Sequence, residues 1–76
     1  MTPAQCRAAR ALIQMSQFEL ARAAAVPATV IADYETSLGF APEEEHLDAI
    51  REALERAGVE FIDGERPGVR TRKGEK

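Results

Sequence analysis

The stretch that most constrains this chain runs from Ser16 to Ser37, SQFELARAAAVPATVIADYETS. Ser16 with Glu19 three residues later is a capping box. The hydroxyl accepts from a first-turn amide while the carboxylate reaches back to the Ser16 amide, which predicts a helix starting at Gln17. Leu20, Ala21 and Ala24 then share one face at helical spacing, and Ala25-Val26 breaks that register just before Pro27. Proline lacks a donor amide and its ring suits only the first turn of a helix, so Pro27 ends one helix and opens the next. From Ala28 the pattern resumes: Val30, Ile31 and Tyr34 make an apolar face, and Ala28, Thr29, Ala32 and Asp33 point away from it. The stretch therefore predicts two short helices joined by a tight turn.

These residues resemble the helix-turn-helix of the Cro/cI-type phage repressors, also called the XRE family. The resemblance covers Ala4 to Ala57. It is carried by R-x-x-R at Arg7 and Arg10, S-Q-x-E-L-A from Ser16 to Ala21, an A-x-V turn, and I-x-x-Y-E from Ile31 to Glu35, in that order and at that spacing. It implies a mainly α domain of four or five helices. In the family, an arginine at the place of Arg10 forms a buried pair with the acid that ends the third helix. Here that acid is Glu35.

Seventy-six residues make one small domain with a marginal core. With 45% hydrophobic residues but no Trp, one Tyr and three Phe, that core must come from Leu, Ile, Val and Ala, which favours closely approaching helices. The single Cys6 can form no internal disulfide and lacks the His and Cys partners of a metal site, so it reads as a small buried hydrophobe. A reducing cytoplasm is the expected compartment. Nothing at the amino terminus resembles a signal peptide, and no apolar run approaches the ~18 residues of a membrane span.

A first helix is expected from Pro3, with Thr2 as its cap and Gln5 as the partner in a second capping box. Cys6, Ala9 and Ile13, with their neighbours Ala8 and Leu12, form the stripe expected to pack on the next two helices. Gly39 and Pro42 punctuate a loop between Thr36 and Pro42, with Leu38 and Phe40 tucked beneath it. A fourth helix opens with Glu43, Glu44 and Glu45, where carboxylates favour the positive end of the helix dipole. Leu47, Ile50, Ala53, Leu54 and Ala57 give it an apolar face, and Gly58 ends it. His46 lies among those carboxylates and reads as solvated.

After Gly58 the period switches from helical to alternating, with turns at Asp63-Gly64 and Pro67-Gly68. A hairpin pairing 59–62 with 69–72 is expected, followed by a disordered tail over 73–76. The chain thus divides into a helix-turn-helix domain over 1–58 and a hairpin extension over 59–72. Two strands alone are marginal in water, so the hairpin must pack on the fourth helix or reach another chain. Phe61, Ile62 and Val69 are more apolar than a lone surface hairpin needs, which makes them the candidate interface of a symmetric homodimer.

No Ser/His/Asp or Cys/His arrangement, glycine-rich phosphate loop or zinc ligand set is present, so neither an enzyme nor a cofactor is expected. The resemblance implies sequence-specific binding of double-stranded DNA by a small transcriptional regulator, whose third helix enters the major groove. Carried over by position, Gln17 is implied to contact phosphate, and Ala28, Thr29, Ala32 and Asp33 to meet base edges. Those base-reading places usually hold Gln, Arg, Ser or Lys in the family, and Glu43 stands where a basic or neutral residue is usual.

Charge also departs from the pattern. Residues 1–65 hold five Arg against twelve Asp and Glu, net -7, while residues 66–76 hold five Arg and Lys against one Glu, net +4. A duplex binder replaces phosphate counterions with basic side chains, so Arg70, Arg72 and Lys73 are the candidate phosphate contacts. The same depletion in the third helix suits a second function: a helix-turn-helix repurposed to bind another regulatory protein, as an antagonist or an antitoxin-like module.

Overall fold

Thr2 and Ser16 each open a helix through a complete capping box in the computed structural model, which describes residues 1–36 and 42–71. The elements in chain order are α1 (Pro3–Ile13), α2 (Gln17–Ala24), α3 (Ala28–Thr36), α4 (Glu44–Arg56), β1 (Val59–Ile62) and β2 (Gly68–Thr71). The fold is mainly helical with one antiparallel hairpin. Among the described residues no helix is long and apolar enough to cross a membrane. The expected placements of Leu38, Gly39 and Phe40 in the loop, and of Arg72, Lys73 and the tail, lie outside the described residues.

Helix ends follow local chemistry. Gln14 and Ala25 close α1 and α2 in the left-handed conformation, at φ 55° and 58°. The turn from Ala25 to Pro27 is held by Val26, whose amide donates to the Ala21 carbonyl at 3.0 Å and whose side chain is buried. Glu43 caps α4 by backbone geometry, without a side-chain hydrogen bond, so the helix begins one residue later than its acidic run. Gly58, at φ 104°, ends it, its amide donating a hydrogen bond to the Glu55 carbonyl.

Cys6 and Ala9 of α1, Leu20, Ala21 and Ala24 of α2, Ile31 and Tyr34 of α3, and Ile50, Ala53 and Leu54 of α4 meet in one core, closed by Val26 and Val59. The inward stripe of α1 differs from the expected one. Ala8 and Leu12 are exposed, Leu12 to 45%, and the buried neighbour of Cys6 is Gln5. Neighbouring residues sit about 100° apart around a helix, so Gln5, Cys6, Ala9 and Ile13 form a tighter arc than a set widened to Ala8.

Gln5 is buried because it joins two structures. Its Oε1 accepts from the Thr2 amide at 2.8 Å, completing the cap of α1. Its Nε2 donates to the carbonyls of Ile62 at 3.1 Å and Gly68 at 3.0 Å, the last paired residues before the turn of the hairpin. The pairing is Val59 with Thr71, Glu60 with Arg70, Phe61 with Val69 and Ile62 with Gly68, so β2 begins and ends one residue earlier than expected. The hairpin packs on α1 through β2 and on α4 through β1. Phe61 and Val69 face inward against the core, and the Arg51 guanidinium lies 5.0 Å from the Phe61 ring centroid.

Ala25 has a conformation that costs an L-residue about 1–2 kcal/mol and costs glycine nothing steric. Its side chain is exposed and contributes nothing to the core. Ala25→Gly is therefore expected to stabilise the domain by about 1 kcal/mol, raising Tm by roughly 4–8 °C in thermal melts. An unchanged or lower Tm would contradict this account of the turn.

Candidate nucleic-acid interface

The α2-turn-α3 unit begins at a helix terminus built from its own sequence. Ser16 Oγ accepts from the Glu19 amide at 3.0 Å, and Glu19 Oε1 accepts from the Ser16 amide at 2.8 Å. Leu20, Ala21 and Ala24 bury the inner face of α2, while Ile31, Tyr34 and Glu35 bury that of α3. Of the outward set, Thr29 and Asp33 are exposed, whereas Ala28 and Ala32 are half-buried and Ala28 packs against the core. The Thr36 hydroxyl donates to the Asp33 carbonyl at 2.8 Å, turning back onto its own helix.

Behind this face lies Glu35, whose side chain is 3% exposed. Arg10 grips both carboxylate oxygens, Nε to Oε2 at 2.8 Å and Nη2 to Oε1 at 2.7 Å. Gln17 Nε2 donates to Oε1 at 2.9 Å and the Cys6 thiol to Oε2 at 3.1 Å. Arg7 also donates to the Glu35 carbonyl, and Arg10 Nη1 reaches the Met15 carbonyl at 3.0 Å. One acid on α3 is thus tied to α1 and to the start of α2.

Burial alone would raise the Glu35 carboxyl. The hydrogen bonds from Arg10, Gln17 and Cys6, with the Arg10 charge, outweigh it and hold the group below the usual carboxylate range. Burial pushes the Cys6 thiol far up, and its bond to Glu35 and that carboxylate's charge push the same way. Cys6 is thus an inert thiol that serves as a donor.

Gln17 bears on the implied phosphate contact, because its amide donor is turned onto Glu35 instead of outward. Sequence reasoning missed Gln17 and Cys6 as partners of Glu35, and Gln5 as the hairpin's anchor. The helical pattern places all three on the inner side, but no local signal names a partner 18 to 63 residues away. It also missed Phe18, the second residue of α2, which is 74% exposed.

The face is poor in positive charge. Between Arg10 and Arg51 the sequence holds one Arg or Lys, Arg22, while Asp33 and Glu43 to Glu45 are exposed. Arg70 is paired with Glu60 at 2.9 Å. Of the candidate dimer residues, Phe61 and Val69 are spent within the chain, and Ile62 is 37% exposed. A scan against models of known protein families finds no match to this chain, and a search of curated proteins finds none.

Removing one partner from a buried pair costs about 3–5 kcal/mol, against roughly 4–11 kcal/mol for a whole domain of this size. Glu35→Gln is expected to lose much of the domain's stability at neutral pH. Because the folded carboxyl titrates below the unfolded value of about 4.3, its contribution is complete above that pH and disappears as pH falls through the folded pKa. Denaturant melts should show the wild-type advantage shrinking from about pH 7 to about pH 3. An advantage equal at both would mean that the charge of Glu35 does no stabilising there.

Proposed function

We propose that α2 and α3 form a helix-turn-helix of the Cro/cI type, and that the protein is a small sequence-specific DNA-binding regulator reading a near-palindromic operator as a homodimer. The observation that carries the reading is the presentation of α3. Its inner face is fixed by Ile31, Tyr34 and the Glu35 network, which leaves Thr29 and Asp33 exposed and Ala32 half-buried on the other side of the helix. In this arrangement α3 lies in the major groove and α2 crosses the backbone.

The grip on phosphate must come from outside α3. The start of α2 offers the positive end of its dipole to an anion. The stretch with a net positive balance is residues 66–76, net +4. Two copies related by a two-fold axis would place one α3 in each half-site, about one helical turn apart. With Phe61 and Val69 facing the core, the candidate contact between copies narrows to the Ile62 side of the hairpin.

A second reading, binding to another regulatory protein, is favoured by Phe18. An aromatic side chain 74% exposed on α2, in a unit whose α3 carries no Lys or Arg, is the make-up of a protein-binding anchor.

Salt titration tests the first reading. Fluorescence anisotropy against the duplex upstream of the protein's own gene should show affinity falling with salt. Neutral substitution of Arg70, Arg72 and Lys73 to Gln should flatten the log-log slope by about 0.9 for each phosphate that is no longer neutralised. No binding at about 50 mM salt would reject the DNA reading, and failure of Phe18→Ser to capture a partner that the wild-type chain captures would support the protein one.

A further inference from the structure

The outward stripe of α3 is unusual in what it can offer a ligand. Thr29, Ala32, Asp33 and Thr36 stand at i, i+3, i+4 and i+7, the spacing of one helix face. The Thr36 hydroxyl is committed to the Asp33 carbonyl, so its methyl is the group left to face outward. The stripe therefore presents three methyl groups around one carboxylate, with the Thr29 hydroxyl as its sole side-chain donor.

In the major groove a thymine shows a C5 methyl, and a cytosine shows the N4 donor without an accompanying acceptor on that base. Guanine shows only acceptors, N7 and O6, which a carboxylate repels and a methyl group leaves unpaired. Resting on the reading that α3 enters this groove, we propose that the stripe selects a thymine-rich half-site containing a cytosine. The methyls of Thr29, Ala32 and Thr36 pack on thymine methyls, and Asp33 accepts from cytosine N4. From Thr29 to Thr36 the helix rises about 10 Å, roughly three base-pair steps, so the core of the half-site is short. Thr36 thereby becomes a specificity-determining residue, and the cation-poor face becomes the source of discrimination rather than of grip.

The test uses the full chain and a random-sequence duplex pool at about 50 mM salt. Selection should recover a core of consecutive thymines with a cytosine among them. Replacing each core thymine by deoxyuridine removes one methyl and leaves the base pairing intact, so affinity should fall about fourfold per methyl. Thr36→Ser keeps the hydroxyl bond and deletes only the methyl. It should weaken the thymine duplex by a similar factor and leave the matching uracil duplex unchanged. Asp33→Asn should move the preference from cytosine to adenine at its base pair, since an amide pairs with adenine N6 and N7. Binding that is indifferent to uracil, or an Asp33→Asn protein that still prefers cytosine, overturns the inference and leaves the regulator reading standing. Failure to enrich any duplex overturns both.

Discussion

The carboxylate of Glu35 is the interaction on which the rest depends. It is withdrawn from water and receives donors from Arg10, Gln17 and Cys6. An isolated buried carboxylate would be too costly to keep, and an ion pair in its place adds little net stability over a packed apolar contact. What this arrangement supplies is direction. The guanidinium fork and the Gln17 amide accept only one placement of the acid, so α3 meets α1 and α2 at a defined rotation. Ile31 and Tyr34 then fall into the core, and Thr29, Ala32, Asp33 and Thr36 fall outside it.

Gln5 plays the same part for the hairpin. A two-stranded sheet does not persist in water by itself. Here β1 and β2 are bound at their turn end by a buried amide that also caps α1, and their inner side chains, Phe61 and Val69, complete the core. The hairpin is therefore part of the domain's interior surface, and the apolar residues that marked it as a dimer contact are mostly used up by that role. Both anchors are polar groups with every buried side-chain atom among the described residues satisfied. That matters in a core made largely of alanine and aliphatic side chains, where unmet donors would weigh heavily.

Local chemistry was legible in the sequence. The two capping boxes, Pro27, Gly58 and the change of period placed the helices and the hairpin to within a residue, because each signal acts on its own neighbours. Tertiary choices were less so. Ala8 and Leu12 look as suitable for burial as Cys6, and Gln5, though on the inner arc of α1, has no local signal that names the hairpin carbonyls as its partners. The pairing of Arg10 with Glu35 came from resemblance, not from spacing. Gln17 carries a role by position that its sequence neighbours do not reveal, since its side-chain donor faces the buried Glu35. Phe18 fell outside every pattern, and exposure alone brought it forward.

The outer stripe of α3, with the start of α2, is the surface we propose to meet DNA. The direct measurement is a two-dimensional amide spectrum of the 15N-labelled chain titrated with the duplex recovered by selection. Gln17, Phe18, Thr29, Ala32, Asp33 and Thr36 are expected to shift together at low salt, while the buried residues around Ile50 and Leu54 stay in place. Shifts confined to the hairpin, or an α3 stripe that stays unperturbed as the duplex saturates, would contradict it.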